Sequence, residues 1–327
     1  MKLRRSMCVL LAAPLILTGC ANTNSGGDTD TASFPEGLDS IQMIVPFSAG
    51  GSTDTIARLV APRLEESLGV PVQVINREES GGQTGLKQIA DSPKDGSVIG
   101  SANLPSIFTT YLDPNTDVDY DRDSFQTAGA VTTFGSVVVV REDSGLKTLD
   151  DLAAAASAEP KALDLAGGAV DDLIPITQLE DAFDAEFNLI PFEGGSADKV
   201  TALLGDKVDV IVAAPSAVVA NVESGEFRVL ATMGSERSVS FPDVSTAQEL
   251  GYDITYDTVN GFALPAGTPD NIVEAYSDAL SDVVDDPAFA EAVEPLGFNA
   301  SYVSAGDYGD LWDERETEAG PIIEAAE

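Results

Sequence analysis

At 327 residues, 43% of them hydrophobic and 22% charged, the chain can build two lobes or one large α/β domain, which excludes a small module and overall disorder. Its 55 acidic and 17 basic residues give a formal charge of −38, which argues against nucleic acid as a partner, because that needs a phosphate-neutralising surface. With no histidine, Ser-His-Asp and Cys-His catalysis are ruled out and the commonest metal ligand is missing, so no enzyme, cofactor or metal site is expected. A two-carboxylate glycosidase is not excluded, but a nearby pair among 55 acids carries no information.

The chain opens with Lys2, Arg4 and Arg5, an apolar run over 7–17, and the string Leu17-Thr18-Gly19-Cys20. This resembles a bacterial lipoprotein signal, in which residues 1–19 are removed and the Cys20 thiol takes a diacylglycerol group, with palmitate on the mature end. The apolar run is too short for a permanent membrane helix. Cys8 leaves with the signal and Cys20 is consumed, so no intramolecular disulfide is expected. Loss of three basic residues leaves 14 against 55 acids, a charge of about −41. Residues 20–37 are mostly Asn, Thr, Ser, Gly and Asp, and read as a flexible tether.

From Ile41 onward, β-branched runs alternate with helical-period segments, the rhythm of parallel α/β structure. Residues 41–46 read as a strand and 47–52 as the loop after it. Ile56, Leu59, Val60, Leu64 and Leu68 mark a helical face closed by Gly69, with a kink expected where Pro62 removes a hydrogen bond. A strand at 72–75, a turn over 81–85, a helix through Ile89 and a strand near 98–99 follow. The four valines 137–140 predict a buried strand leaving the first lobe. Thr148 is expected to cap a helix containing Leu149 and Leu152. Strands are then predicted at 162–165, 187–191, 208–212 and 228–232, with helices at 173–183 and starting near Ser196 and Ser216. Residues 259–265 read as the return to the first lobe, closed by helices at 272–284 and 308–326.

Four loops use the same small residues: Ala49-Gly50-Gly51-Ser52, Gly81-Gly82, Gly167-Gly168-Ala169 and Gly194-Gly195-Ser196. After parallel strands, such loops allow close backbone approach and present helix N-terminal amides, an anion site needing no Lys or Arg. A tight turn is the alternative use of each pair. Nucleotide motifs fail: Ser80 stands where G-x-G-x-x-G needs its first glycine, and no P-loop occurs. The acidic run 113–123 fails as a calcium loop, because Val118 and Ser124 replace the turn glycine and the bidentate glutamate.

The string Ile44-Val45-Pro46-Phe47-Ser48-Ala49-Gly50-Gly51-Ser52-Thr53-Asp54-Thr55-Ile56-Ala57-Arg58 resembles the substrate-binding proteins of tripartite tricarboxylate transporters, the Bug family. Leu68-Gly69-Val70-Pro71-Val72, Gly81-Gly82-Gln83-Thr84-Gly85, Pro93-Lys94-Asp95-Gly96, Ile190-Pro191-Phe192-Glu193-Gly194-Gly195, Leu204-Gly205-Asp206-Lys207-Val208-Asp209 and Gly261-Phe262-Ala263-Leu264-Pro265 are similar to further family blocks. The resemblance implies a two-lobed α/β flytrap of the periplasmic-binding-protein kind, each lobe a mostly parallel sheet flanked by helices. Lobe 1 would be 38–137 with 259–327, lobe 2 138–258, and the hinge would lie near 137–141 and 257–262. It further implies a ligand carboxylate held by Phe47, Ala49, Gly50, Gly51, Ser52, Thr53 and Asp54 from the first lobe. Gly167, Gly168, Ala169, Gly194, Gly195, Ser196 and Asp198 would face it from the second, with Asn103 and Ala214 as wall residues. Glu193 stands where the family has Lys and Asp198 where it has a small residue, which weighs against a highly charged tricarboxylate.

The function so implied is that of an extracytoplasmic, lipid-anchored solute-binding protein. It would capture a small organic acid, a di- or tricarboxylate or related carboxylate, for the permease subunits of a tripartite tricarboxylate-type membrane transporter. An exported sensor or enzyme on the same lobes is the alternative, since fold does not fix function. A purely structural surface lipoprotein would bind no small ligand.

Overall fold

The computed structural model describes residues 34–325 except Ala169, Glu193 and Gly194. The expected signal, Cys20 and most of the tether lie outside the described residues. At the tether's end Phe34 is already packed, its ring 5.2 Å from that of Tyr276.

The first sheet contains β1 (Ile41–Val45), β2 (Val72–Asn76), β3 (Val98–Ser101), β4 (Phe125–Gly135), β10 (Asp257–Pro265) and β11 (Asn299–Val303), in the order β11-β4-β10-β3-β1-β2. The second contains β5 (Val137–Arg141), β6 (Asp164–Ala166), β7 (Asn188–Ile190), β8 (Val210–Ala213) and β9 (Phe227–Thr232), in the order β7-β6-β8-β5-β9. The two-lobed α/β fold is as expected, but the sheets are mixed and not mostly parallel. β1, β2 and β3 are parallel, as are β6, β7 and β8, whereas β4, β10 and β11 in one sheet and β5 in the other pair antiparallel.

Each sheet is covered on both faces. Ile41, Met43 and Val45 point into a core beneath α1 (Ser52–Leu68), α8 (Asp270–Asp285) and α9 (Pro287–Val293), while Ile44 enters the opposite one. The valine run divides the same way, Val138 and Val140 to one face, Val137 and Val139 to the other, as a period of two requires. The core containing Ile44, Val138 and Val140 is continuous between lobes. It also takes in Tyr308 and Trp312 of α10 (Ala305–Ala325), Phe108 of α3 (Ser106–Leu112) and Ile174 of α5 (Val170–Phe183). α10 therefore packs on β4 and on α5, and does more than close the first lobe.

Sequence reading and structure differ where a segment is buried on both faces. β4, FQTAGAVTTFG, is buried along nearly all its length and shows no alternation, so it went unread, as did α3, α9 and β11. Gln83-Thr84-Gly85, expected as a turn, opens α2 (Gln83–Ala90) after a 3-10 turn at Glu79–Gly82. The expected strand at 162–165 is shifted to Asp164–Ala166. α1 continues through Pro62 as one element, capped by Gly69 in the left-handed region at φ 70°. Thr148 caps α4 (Leu149–Ala158), as read, and the structure adds a reciprocal box with Asp151.

The chain passes from β4 to β5 with only Ser136 between, and returns from β9 to β10 through residues 233–256. The expected hinge segments thus lie inside strands. At the crossing, Met233 N donates to Ser136 O (2.7 Å) and Tyr256 N to Met233 O (2.6 Å). A Cβ on Gly135 would stand 2.3 Å from both Cα and N of Gly234, so the links cross by having no side chain there. Gly135→Ala is expected to cost about 1–3 kcal/mol by forcing backbone apart, read as a lower urea midpoint. Wild-type stability would show that the crossing can relax.

Candidate functional site

The carboxyl ends of β1, β2 and β3 carry residues 46–51, 77–82 and 102–105, and those of β6, β7 and β8 carry 167–169, 191–194 and Ala214. These are the two sets of loops from which parallel strands offer ligand sites. In the first set, α1 begins at Ser52 with Gly51 as N-cap. Asp54, at the third helical position, reaches back and accepts from Gly50 N (2.8 Å). The bond reaches the residue before the N-cap, and Gly51 itself has no side chain to accept from a first-turn amide. The first intrahelical bond runs from Thr55 N to Gly51 O (2.9 Å), so the amides of Ser52, Thr53 and Asp54 are left open at the positive end of the helix.

Asp54 is only 2% exposed, and both its oxygens are engaged. Besides Gly50, they accept from Arg58 Nε (2.9 Å) and Asn76 Nδ2 (2.9 Å), and Arg58 closes an ion pair at 2.9 Å. Burial alone would raise this carboxyl. Hydrogen bonds from Arg58, Gly50 and Asn76, with the Arg58 charge, outweigh it and hold the group at about 2, below the usual 3.8. Asn76 also donates to Phe47 O (3.1 Å), tying the loop to the end of β2. Gly82 and Gly85 serve close packing, since a Cβ on either would fall within 3 Å of Pro46 O or Cβ.

Near the start of α1 lies a small recess lined by residues that include Phe47, Gly82, Ser101, Asn103 and Ser106. Asn103, 6% exposed, donates from Nδ2 to Thr53 Oγ1 (2.9 Å) and Asn260 Oδ1 (2.9 Å), and Asn260 Nδ2 donates to Thr132 Oγ1 (2.9 Å). Asn103 Oδ1 is buried without a partner. Both ends of the chain are hydroxyls, so every bond can reverse, and Asn103 then frees its NH₂ in place of its oxygen. The wall can thus meet a donor or an acceptor.

In the second lobe, Gly167 N donates to Ile190 O (3.0 Å), and a Cβ there would strike Ile176 at 2.4 Å. Gly168 is exposed beside Pro191, and Ala169 and Gly194 lie outside the described residues. Gly195 opens α6 (Gly195–Leu204), Ser196 Oγ accepts from Ala214 N (3.3 Å), and Asp198 is exposed on the first turn. Ala214 precedes α7 (Pro215–Glu223) as its N-cap. Of the expected first-lobe residues, Phe47 and Asn103 line the recess, Thr53 is buried with its hydroxyl on Asn103, Ala49, Gly50 and Ser52 are exposed, and Asp54 faces inward as the loop's anchor.

Sequence reasoning missed the groups that join the lobes. Asp171, on the first turn of α5, accepts from Ser106 Oγ (3.3 Å) and Thr109 Oγ1 of α3, and Tyr256 OH donates to its backbone oxygen (3.0 Å). Burial pushes the Asp171 carboxyl up, with Asp172 adding to it, against hydrogen bonds from Thr109 and Ser106 and the charge of Lys199. Lys199, 4% exposed, pairs with Asp172 and donates to Val212 O (3.5 Å), while Asp172 Oδ2 has no partner. Acids in a first helical turn are ordinary and gave no signal. Lys199 did give one, since it shares the i, i+3, i+4 spacing of the buried Ala202 and Leu203, where a cation needs a counter-ion.

The depressed Asp54 pKa makes a signed prediction. Its stabilisation is fully present above about pH 4 and is lost as pH falls through about 2. Asp54→Asn should cost about 1.5–3 kcal/mol at pH 7, as loss of charge-assisted hydrogen bonds does, with the gap to wild type closing near pH 2. Urea titrations at both pH values measure it, and a pH-independent gap would contradict the assignment.

Residues 56–327 match the family model described as the tripartite tricarboxylate transporter family receptor. The protein BugT of Bordetella pertussis is 34% identical over 265 residues, 79% of this chain and 80% of its own. In fold, the chain is similar to a TctC solute-binding protein from Polaromonas (TM-score 0.79, 23% identity, 89% of this chain and 99% of that one). It is also similar to MatC of Rhodopseudomonas palustris, solved with bound malate (TM-score 0.65, 22% identity, 87% and 98%). With most of its length matched by the family model and by a 34% identical relative, this chain belongs to the Bug-type receptors of the tripartite tricarboxylate transporter family.

Proposed function

We propose that the protein is an extracytoplasmic solute receptor that captures a small organic acid between its lobes and passes it to the permease subunits of a tripartite transporter. The observation that carries this reading is the uncapped start of α1, where the Ser52 and Thr53 amides have no backbone partner and the Thr53 side chain is bonded to Asn103 of the recess wall. Each hydrogen bond to a carboxylate contributes about 1.5–3 kcal/mol, against about 0.3–1 kcal/mol from the helix dipole, so the amides dominate. Malate in the MatC structure is consistent with a carboxylate ligand.

The remaining assignments belong to the same proposal. Cys20 carries the lipid that holds the mature chain to the membrane. Lobe 1 runs over 38–137 and 259–327 and lobe 2 over 138–258, with rotation absorbed at Ser136 and in the return link 233–256. Phe47, residues 49–54 and Asn103 serve the ligand from the first lobe, Asp54 through the loop it holds. Residues 167–169, 194–196, Asp198 and Ala214 serve it from the second. A ligand touching both lobes favours the closed arrangement, because only differential contact shifts such an equilibrium.

A thermal-shift screen of the untethered chain against organic acids tests the reading. A ligand at about 100 times Kd adds about 2.7 kcal/mol of stability. Gly51→Val, whose Cβ would meet only Ser48 O at 3.3 Å, should fold yet lose the shift by crowding the amides. Normal binding by that variant would move the site elsewhere. With a hit in hand, X-ray scattering should show a smaller radius of gyration on saturation, and an unchanged radius would remove closure from the account.

A further inference from the structure

One buried carboxylate ties the two lobes to each other. Asp171, on the first turn of α5 in the second lobe, accepts from Thr109 Oγ1 on one oxygen and from Ser106 Oγ (3.3 Å) on the other, both on α3 of the first. Its backbone oxygen accepts from Tyr256 OH (3.0 Å), and Tyr256 N donates in turn to Met233 O (2.6 Å) at the far end of the return link. A single residue thus joins α3, α5 and the link between the sheets. It also stands among the loops that the carboxylate-receptor reading uses, two residues after the 167–169 loop on its own side and bonded to Ser106 of the recess wall on the other. The arrangement it holds is therefore the one that keeps both sets of loops together.

The contact is close to balance. Withdrawing a carboxylate from water is costly, and here two hydroxyls answer it. Of the charged groups alongside, Asp172 repels it and Lys199 is paired with Asp172. Burial accordingly pushes the Asp171 carboxyl up, the mark of an anion whose partners do not fully compensate it. Such a contact gains little while requiring α3 and α5 to stand in one register, so it can open. Resting on the receptor reading for its consequence, we propose that Asp171 is a clasp between the lobes, formed without ligand, that sets the fraction of the protein competent to bind. Apparent affinity scales with that fraction whatever the ligand. Substitutions at its two ends act in opposite directions. Thr109→Val removes a donor and leaves the buried anion short of a partner, which opens the clasp. Asp171→Asn removes the charge whose burial is costly, and its amide still accepts from Thr109 and donates to Ser106 Oγ, so the clasp holds.

Spin labels at Glu66→Cys on α1 and Glu223→Cys on α7, both exposed, report the distance between the lobes in the untethered protein, which has no other cysteine. Pulsed electron spin resonance without any ligand should show one dominant distance in this labelled parent. Thr109→Val should raise the fraction away from that distance about tenfold, the weight of one lost hydrogen bond to a charged group, and Asp171→Asn should not raise it. A folded Thr109→Val protein with the parent distribution overturns the proposal, as does a folded Asp171→Asn protein that opens as far as Thr109→Val. Ser106→Ala, which acts in the same sense and more weakly, takes the place of Thr109→Val if that variant does not fold. These distances need no ligand, so their failure leaves the receptor reading intact. With binding acids from the screen in hand, Thr109→Val should weaken all of them by one common factor. Factors that differ from acid to acid would put Thr109 against the ligand and overturn the clasp. If the screen yields no acid, the receptor reading falls, and the distances still decide the clasp.

Discussion

The site is organised by one buried carboxylate. Asp54 gathers the Gly50 amide, Asn76 and Arg58, and so fixes the loop between β1 and α1. In a complete capping box the N-cap side chain would satisfy the third amide of the helix. With glycine at that position no side chain does so, and the first-turn amides stay open. Open amides of the kind that suit an anion thereby arise in a chain with 38 more acidic than basic residues, without spending a free cation.

Two acids act in opposite senses across the cleft. Asp54 is matched by donors on every side, its carboxyl is held low, and it stabilises the loop. Asp171 is underserved, its carboxyl is pushed up, and its partners are hydroxyls of the other lobe. The difference is one of neighbours, since both sit in first helical turns. Repulsion across the acidic surface matters less, being screened beyond about 8 Å at physiological salt.

Much of this was legible in the sequence, for reasons that differ by element. The valine run and the β1 strand announce themselves because burial on two faces selects β-branched residues. Gly69 as a left-handed cap and Thr148 with Asp151 follow from local geometry alone. β4 was not legible, since its Thr, Gly and Ala residues follow packing against β10 and α10 and not a period of their own. The mixed sheets escaped for a related reason, as the direction of the crossing strands is set by where the chain changes lobes. In the site, the Ala49-Gly50-Gly51 loop and Asn103 could be named by resemblance. The engagement of Asp54 with Gly50 and the reach of Asp171 to Ser106 and Thr109 depend on tertiary placement, which no local pattern encodes.

The central claim is that open amides at the start of α1 hold the ligand carboxylate. Amide proton and nitrogen shifts of Ser52 and Thr53, followed by NMR as a binding acid is titrated into the untethered protein, test it most directly. Both amides should move downfield in proportion to occupancy, as N–H groups do on gaining a charged acceptor. Saturation of the protein with both resonances unmoved would contradict the account.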